Sequence, residues 1–565
     1  MKHRKPRILL SICVALFMGL ITTGIGPAFA EDAAPTAPTP AETVASKPAP
    51  DFATAVTALN QDDFDSKGEA IKVLADIKNP RTVPVLEAMM GNDLYYDNEH
   101  KRVVIGKRKN GSYEITDAVS GDTLGATARS NLDKIVVNNH LRRLLRAMIA
   151  QLSLSDPDPA VRLKSVRNMI LKISDESAEL LRKALTTETD SDVKQAMHTG
   201  IALMDIQSAD KQVRLQAIAA LSQSLMPEAR NSIKLLTEKN SDGTFSEPDA
   251  DVRQAAVKAQ HQIEEKLSFY HLAETVFFGL SLGSVLLLAA IGLAITFGVM
   301  GVINMAHGEL IMLGAYTTYL IQAILPNHIE ISVFLAIPAA FIVSGLFGIA
   351  IERGVIRHLY GRPLETLLAT FGISLILQQL VRIGISAQNV PVETPQWMSG
   401  SWHINNALEL TYNRLYIVIF SLVVFAALLL ILKKTRLGLQ VRAVSQNRAM
   451  AKAMGIRTEW VDALTFGLGS GIAGVAGVAL SQLTNVGPNL GQAYIIDSFM
   501  VVVFGGVGNL WGTLVGAMSL GVGNKFLEPW SGAVLAKILV LVFIILFIQK
   551  KPRGLFPQKG RAAEH

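Results

Sequence analysis

The sequence predicts an all-α polytopic membrane protein, with about seven to eight membrane helices behind a large soluble helical domain. Residues 31–270 mix charged and apolar side chains, whereas residues 271–550 are apolar runs separated by short basic loops. The apolar share of 50% is therefore an average over two unlike halves. Much of the net charge of +6 lies beside apolar runs, where positive charge indicates membrane topology and not nucleic-acid binding.

The first 30 residues have the pattern of a secretory signal peptide. Basic residues precede an apolar run at 8–20, and small residues follow at Ala28 and Ala30. We expect cleavage after Ala30; an uncleaved anchor helix is the alternative, and both would send the next segment across the membrane. The single cysteine, Cys13, lies in this segment, so neither a disulfide nor a cysteine-ligated metal is expected. Residues 31–50 are rich in Pro, Ala and Thr and are expected to be a disordered linker.

Residues 51–268 have a repetitive helical pattern, which predicts an exported domain of stacked helix pairs. A polar or acidic cap before a valine and a basic residue recurs near Asp158, Asp192, Lys211 and Asp249. The pattern resembles HEAT-like repeats, in which stacked pairs bury one continuous core. Such stacks make extended binding surfaces, so a docking role is one hypothesis and a solvated spacer is the other.

A different pattern interrupts the helices between residues 94 and 137. Apolar and polar residues alternate there in period two, on both sides of Lys109, Asn110 and Gly111. Asn-Gly between two such runs is a strong signal for a tight turn. The sequence therefore predicts a small β-hairpin inserted between helix pairs.

Seven apolar runs in residues 271–550 are close to the roughly 20 residues that a membrane helix needs. They are residues 273–298, 303–325, 331–351, 364–383, 415–432, 461–483 and 533–549. The basic loops at 352–363 and 433–460 and the tail at 551–565 are expected in the cytoplasm, which places the N-terminal domain in the periplasm. The tail can lie in the cytoplasm only if residues 495–524 enter the membrane and return to the same face. We therefore predict a broken or re-entrant pair of helices at 495–524.

The sequence supplies a break for that pair at Gly505, Gly506 and Gly508. Irregular backbone at membrane depth is tolerated only where protein or a polar cavity surrounds it. We therefore predict that this break forms part of the wall of a pathway through the membrane.

Polar residues stand inside one apolar run, at Asn304, His307 and Glu309. An ionisable group near the centre of a bilayer costs about 3 kcal/mol on insertion scales, so it usually faces a polar path or a partner. This segment is therefore the first candidate for a functional site.

Sequence motifs do not support an enzyme, a resident cofactor or a metal site. The run from Gly469 to Gly474 has the spacing of a dinucleotide-binding loop, but it lies inside an apolar span and predicts helix packing instead. The sequence contains no G-x-x-x-x-G-K-[ST], so the chain does not bind ATP through a P-loop. An intramembrane hydrolase is the alternative, although no nucleophile and base stand together to support it.

The longest basic loop predicts one short amphipathic helix, ending at Gly455. Its Ala and Met side could lie in a partner's groove; a solvated helix or one on the lipid surface is the alternative. The residues that define this segment are Arg442, Ala443, Asn447, Ala451, Gly455 and Ile456.

Four segments in this order resemble the LivH-type permeases of branched-chain amino acid ABC transporters. They are residues 283–316, the R-A-x-x-x-N-x-x-x-A-x-x-x-G-I motif from Arg442, the GGVGNLWGTLVGA break, and the PRGLF tail from Pro552. The resemblance covers essentially all of residues 273–557. Two features look closest to the urea-transport branch of this family, the UrtB-type permeases. They are the exported extension and the sequence GLSLGSVLLLAAIGLAITFGVMGVINMAHGELIMLGAY.

The resemblance implies a permease subunit of an ATP-driven importer in the bacterial inner membrane. Its implied partners are a second homologous permease subunit, two cytoplasmic ABC ATPases, a periplasmic substrate-binding protein and the surrounding lipid, with no nucleic acid. By resemblance, the segment from Arg442 to Ile456 docks on an ATPase, although it lacks the Glu of the usual E-A-A coupling pattern. The implied substrate is urea or a short amide. A branched-chain amino acid permease and a passive urea channel are the alternatives.

Urea is neutral and carries one carbonyl acceptor and four N–H donors, so its path should offer amide or carboxylate acceptors. Asn304 and Glu309 could accept from its amides, and neutral His307 could donate to its oxygen. Further candidates along the path are Gln378, Gln379 and Asn509. The competing hypothesis is structural: Asn304, His307 and Glu309 would hydrogen-bond one another and lock the first two spans.

Overall fold

The structure is a computed structural model and describes residues 51–557 apart from Lys78, Asn110, Gly111, Asp242 and Asn406. The predicted signal peptide with its cleavage site at Ala30, the linker at 31–50 and the last residues of the tail lie outside this range. The chain forms two compact units that divide between Arg146 and Ala147.

The first unit combines short helices with a five-stranded antiparallel sheet in the order β4-β3-β2-β1-β5. Its helices are α1 Phe52–Thr57, α2 Phe64–Ile77 and α3 Thr82–Gly91. Its strands are β1 Leu94–Asp97, β2 Arg102–Lys109, β3 Ser112–Asp117, β4 Thr123–Thr127 and β5 Leu132–Lys134. The predicted hairpin is present as β2 and β3, which pair from Val104 with Asp117 to Lys109 with Ser112.

The inserted sheet is larger than the predicted hairpin. Tyr95, Val104, Ile115 and Leu132 come from four different strands and bury their side chains together. A two-stranded hairpin is marginally stable in water, and additional strands allow one face to be buried. The alternation in the sequence indicated strands but did not give their number.

Helix α4, Asn139–Leu154, contains the division point, and five further helices precede the membrane part of the chain. They are α5 Pro159–Ile170, α6 Asp175–Leu185, α7 Ser191–Asp205, α8 Lys211–Leu221 and α9 Pro227–Thr237. Val193, Ile218 and Ile233 lie in their shared core, whereas Val161, the valine that follows the cap Asp158, is exposed in the first turn of α5. The HEAT-like assignment stays a prediction.

A polar arrangement occurs twice in this region and joins one helix to the loop before the second helix that follows it. Arg162 donates to both carboxylate oxygens of Glu188 at 2.8 Å, and Arg214 donates to Glu247 at 3.1 Å. Each arginine also donates to two carbonyl groups in the loop before its own helix. The cap residues Asp158, Asp190, Asp210 and Asp249 each accept from backbone N–H groups in the first helical turn.

The longest helix, α10, runs from Ala250 to Met300 without interruption. Its 51 residues span about 76 Å at the usual helical rise. Val252 and Ile263 lie in the core of the preceding helices, and Leu288 and Ile291 lie in the cores of the membrane part. The predicted boundary at 268–271 therefore falls inside one continuous helix.

Each of the seven predicted membrane spans contains a helix, although the span predicted at 303–325 becomes helical only at His307. After α10 come α11 His307–Ile324, α12 Ile329–Gly354, α13 Pro363–Gly384, α14 Tyr412–Lys434, α15 Arg436–Gln446, α16 Arg448–Ala453, α17 Thr458–Ser481, α18 Leu490–Gly505 and α19 Leu510–Lys550. Two short strands, β6 Ser401–Asn405 and β7 Leu408–Thr411, precede α14. Among the described residues, six helices are long and apolar enough to cross a membrane: α10, α12, α13, α14, α17 and α19.

Helix α17 occupies the centre of the bundle. Within its apolar stretch of 18 residues, 94% of the residues are buried, whereas the value for the corresponding stretch of α14 is 22%. Small residues allow this position. A Cβ on Gly292 of α10 would lie 2.2 Å from the carbonyl oxygen of Gly469, and Gly471 packs against Phe341 of α12. The dinucleotide-like run in α17 is thus confirmed as a helix-packing surface, where small residues let backbones approach closely.

Residues 495–524 lie in α18 and the first part of α19, and the backbone between these helices is non-helical at Gly506 and Gly508. Gly506 has φ 104° and Gly508 has φ 77°, values that favour glycine. The backbone N–H groups of Leu555 and Phe556 donate to the carbonyl oxygens of Phe504 and Gly505, which have no partner in their own helix. The PRGLF tail thereby caps α18.

Helix α19 contains a second interruption. Gly532 has φ 76° and ψ 163°, so the helix bends there, three residues after Pro529. The final predicted span, 533–549, is the part of α19 beyond this bend.

Two ends of the bundle can be named from their residues. At one end α10 and α14 finish and α15 begins, so that Gly298, Lys433 and Arg442 line one cavity together with Asn509 and Phe556. We call this the basic end. The opposite end, at which α10 enters from the preceding helices, is called the helical-domain end.

Candidate functional site

The polar segment between α10 and α11 lies inside the bundle. His307, the first residue of α11, donates from Nε2 to the carbonyl oxygen of Ala289 at 2.9 Å. Ala289 stands about three helical turns, or roughly 16 Å, before the end of α10 at Met300. The chain therefore turns back along α10 after Met300 and starts α11 at the depth of Ala289.

Residues 301–306 are non-helical, and α13 provides part of their hydrogen bonding. The backbone N–H of Met305 donates to the hydroxyl of Thr370 at 3.1 Å, and the Ala306 N–H donates to the side-chain oxygen of Asn304 at 3.0 Å. Non-helical backbone at membrane depth requires such protein partners. Residues 301–306 thus form a non-helical segment inside the bundle, beside α13. The glycine break at 505–508, for which the sequence predicted such a position, lies at the end of the bundle.

Glu309 joins α11 to α13. Its Oε1 accepts from Ser374 Oγ at 3.0 Å and from Gln378 Nε2 at 2.7 Å. The Glu309 side chain is only 1% exposed. The polar cluster of the bundle therefore consists of Asn304, His307 and Glu309 with Thr370, Ser374 and Gln378.

The side chains of Asn304, His307 and Glu309 do not hydrogen-bond one another as the structural hypothesis required; the backbone N–H of His307 donates to the carbonyl oxygen of Asn304 at 3.4 Å. Asn304 binds the backbone of its own segment, His307 binds α10, and Glu309 binds α13. For His307 and Glu309 the reason is geometric, because residues two apart on a helix do not face each other. His307 thus joins α11 to α10, Glu309 joins α11 to α13, and Asn304 holds its own segment.

Each of the three also keeps one buried polar atom without a hydrogen-bond partner among the described residues: Asn304 Nδ2, His307 Nδ1 and Glu309 Oε2. Buried polar atoms are nearly always hydrogen-bonded in folded proteins. The set offers a donor, a titratable ring nitrogen and an acceptor, so the segment retains the capacity to bind a polar solute as well as to brace helices.

The other pathway candidates separate. Gln378 belongs to the cluster, but Gln379 is exposed, because neighbouring helical residues point about 100° apart and Gln379 therefore lies off the buried face of α13. Asn509 lies at the basic end and caps α19: its Oδ1 accepts from the N–H groups of Trp511 and Gly512. The structure does not place Asn509 or the glycine break in the polar cluster.

Thr370 and Ser374 were missed in the sequence, although a signal was present. Thr366, Thr370, Ser374 and Gln378 recur every four residues and therefore share one face of α13. That face is buried at all four positions, whereas most other positions of α13 are exposed.

The basic loop forms two helices where one was predicted. Helix α15 ends at Gln446, and Asn447 begins α16 as its cap, with its side-chain oxygen accepting from the Met450 N–H at 2.9 Å. Asparagine at such a position favours a helix start over a helix interior. Gly455 lies beyond α16 with φ 86°, which is consistent with its expected place at the end.

One side of the two helices is buried and the other is exposed. Val441, Val444 and Ala451 pack with Val461 of α17, and Ala443 and Ile456 lie at the edge of the same cluster. Leu439, Met450 and Met454 point outward, with exposures of 62%, 60% and 77%. The outward face is apolar and available to a partner.

Arg448 connects this loop to the central helix. Its guanidinium pairs with the carboxylate of Asp462, which is completely buried in α17, and lies 4.5 Å from the centre of the Tyr360 ring. Arg357 pairs with Glu459 nearby at 3.0 Å. A displacement of α16 would therefore act on the first turn of α17.

Residues 275–548 match the family model described as a branched-chain amino acid transport system permease component. The LivH permease of Salmonella typhimurium is 30% identical over 298 residues, which cover 51% of this chain and 96% of that protein. The chain belongs to the branched-chain amino acid transport system permease family.

Other members of this permease family show the same extent of similarity. The BraD permease of Pseudomonas aeruginosa is 29% identical, covering 51% of this chain and 96% of its own length. A probable LivH permease of Methanocaldococcus jannaschii is 25% identical, covering 48% and 88%. No solved structure matches the chain. The family match begins at residue 275, so the helical domain lies outside it.

Proposed function

We propose that this protein is the membrane permease subunit of an ATP-driven importer, and that it passes a small polar solute through the bundle at the polar cluster. Family membership supports the transport role. The observation that carries the proposed site is the set of unpartnered buried atoms on Asn304, His307 and Glu309. The proposed partners are a second permease subunit, two ABC ATPases and a substrate-binding protein.

In this proposal the basic end faces the cytoplasm of a bacterial inner membrane. Its loop from Lys433 to Arg457 carries seven basic residues and no acidic one, and the last helix ends at Lys550 and is followed by Lys551 and Arg553. Such an excess is typical of cytoplasmic loops. The helical domain then lies in the periplasm, where α10 would connect it rigidly to the membrane.

The coupling step follows from Arg448. ATPases that close on ATP would press on the exposed Met450 and Met454, and the pair between Arg448 and Asp462 would carry that displacement to α17. Helix α17 packs closely against α10, α11 and α12, so its tilt would rearrange the helices that hold the cluster. This is a rigid-body mechanism for alternating access.

A branched-chain amino acid is the first candidate solute, because the relatives are named for that transport. Glu309 could hold its ammonium group, while the positive end of the α11 dipole, at the depth of Ala289, favours its carboxylate. Urea is the second candidate. The cluster contains one carboxylate and no Lys or Arg, and its donor and acceptor atoms suit a neutral amide.

The deciding experiment measures ATP hydrolysis by the reconstituted complex with its binding protein and leucine, urea or acetamide. Stimulation by leucine alone would support amino acid import, and stimulation by urea or acetamide alone would support the second candidate. Flux that persists without ATP would instead identify a passive channel. A complex that moves none of the solutes and shows no stimulation would contradict the transport proposal.

A separate role is proposed for the periplasmic domain: seating the binding protein over the outer mouth. Its stacked helices offer an extended surface, and α10 joins that surface to the bundle in a single helix. Removing residues 51–249 should weaken association of the binding protein while the complex still assembles. Undiminished association in that variant would rule the role out.

A further inference from the structure

A large cavity opens at the basic end of the bundle. Its volume is about 1090 Å³, and its walls come from the ends of α10 and α14, from α15, from the start of α19 and from the tail. None of the polar-cluster residues lines it. The cavity is therefore distinct from the proposed solute site.

The cavity is cationic. Lys433 and Arg442 line it, and no Asp or Glu of the described part of the chain does. Lys433 makes no hydrogen bond or ion pair with the rest of the described chain, and Arg442 uses only Nε, in a 3.4 Å contact with the carbonyl oxygen of Gly438 in its own helix. The charged atoms of both side chains are thus available to an anion.

The other walls are apolar and reach the membrane-facing surface. Leu429 and Leu432 belong to α14, the span that contributes Leu430 at 61% exposure. Trp511 and Leu439 also line the cavity and are 53% and 62% exposed. Tryptophan is enriched where the hydrocarbon of a bilayer meets the headgroups. The cavity therefore joins an exposed cationic wall, at Lys433 and Arg442, to a surface suited to acyl chains.

We propose that this cavity binds an anionic phospholipid, with its phosphate beside Lys433 and Arg442 and its acyl chains along α14 and Trp511. Arginine binds phosphate oxygens in two parallel hydrogen bonds, and basic pockets between membrane helices bind anionic headgroups. The lipid would connect α15, the first helix of the basic loop, to α10 and α14. The inference does not depend on which solute is transported.

Native mass spectrometry of the full-length chain, titrated with phosphatidylglycerol or with phosphatidylcholine, tests the site. One phosphatidylglycerol should remain bound under conditions that remove phosphatidylcholine. The double variant Lys433→Gln/Arg442→Gln should bind it about thirtyfold more weakly, since each basic residue near an anionic headgroup contributes roughly fivefold. Ser445→Trp, which keeps both charges but fills the cavity, should also lose the lipid.

The matched control is Lys452→Gln/Arg457→Gln, which removes two charges from the same loop outside the cavity. Equal loss of lipid in this control would show general attraction to a basic surface and overturn the proposal. Displacement by millimolar inorganic phosphate would identify a soluble anion as the occupant and overturn it as well. Loss of the lipid when the ATPase subunits bind would assign the cavity to protein docking, a third contradictory result.

Discussion

Gly314 of α11 and Gly474 of α17 touch through their backbones. A Cβ on Gly314 would lie 2.0 Å from the carbonyl oxygen of Gly474, nearer than any side-chain carbon can approach. Because helices are rigid along their length, the two spans would have to separate to admit a methyl group. The contact holds the helix that carries Glu309 against the central helix of the bundle.

Gly314→Ala is expected to destabilise the bundle at this contact. Overpacking usually costs about 1–3 kcal/mol, and a clash with backbone belongs at the upper end of that range. Thermal melting of the purified protein in detergent measures the effect. Gly372→Ala is the control, since a Cβ there meets nothing within 4 Å; equal melting temperatures for both variants would contradict the predicted packing.

Glu309→Gln and His307→Phe distinguish solute binding from bracing. If these side chains contact the solute, KM for uptake should rise about tenfold or more, the usual cost of losing a hydrogen bond to a charged group. Assembly with the ATPases is measured in parallel. Gln379→Ala, on the exposed side of α13, should leave uptake unchanged, and normal kinetics in the first two variants would leave only a bracing role.

Asp462→Asn should weaken the coupling between ATP hydrolysis and transport. The buried carboxylate would lose its charge, and Arg448 would lose the partner that ties α16 to α17. Stimulation of hydrolysis by the loaded binding protein should fall about fivefold, the lower end of typical coupling effects. Arg448→Lys should retain more coupling than Arg448→Gln.

The control for this prediction is Arg357→Gln, which breaks the more exposed pair with Glu459. Its stimulation should stay near that of the unmodified protein. A larger loss of stimulation in this variant than in Asp462→Asn would contradict coupling through α16. It would indicate coupling through the segment before α13.

Ser268→Pro tests whether α10 transmits force between the helical domain and the bundle. Ser268 is exposed and lies between the last core residues of the domain and Gly279, where α10 first packs closely on α19. Proline inside a helix removes a backbone hydrogen bond and costs about 3 kcal/mol or more. Stimulation by the binding protein should fall while basal hydrolysis persists. Ser268→Ala is the control, and full stimulation in both variants would exclude transmission through α10.

Acidification should loosen the contact between α5 and α7 through Glu188. The hydrogen bonds from Arg162, together with those from nearby backbone N–H groups, lower the pKa of Glu188 from 4.5 to about 2. Since the folded pKa is the lower one, the stabilisation is complete above pH 4.5 and is lost as pH falls from 4.5 towards 2.

Amide hydrogen exchange in α5 and α7 of the full-length protein measures this effect. Glu188→Gln should increase exchange at neutral pH by an amount equivalent to about 1–3 kcal/mol and should remove the acid dependence between pH 4.5 and 2. Glu179→Gln, which breaks an exposed pair with Lys183, is the control. An acid dependence that survives in Glu188→Gln would assign it to other groups.

The membrane helices were predictable because each needs a long apolar run, and that requirement can be read locally. The break at Gly506 and Gly508 was predictable for a similar reason, since glycine allows backbone angles that other residues avoid. Its position was not predictable. The sequence indicates where a helix stops, but only the packing of α10, α15 and the tail around Asn509 places that stop at the basic end.

The candidate site, too, was predictable from the sequence only in part. By itself the sequence determined that Asn304, His307 and Glu309 would be costly to bury and would need partners. The tertiary structure decided that those partners are Ala289, Ser374 and Gln378, and that α11 begins deep in the bundle. The physical reason is that burial and helix propensity depend on nearby residues, whereas a hydrogen bond between α11 and α13 depends on how whole helices pack.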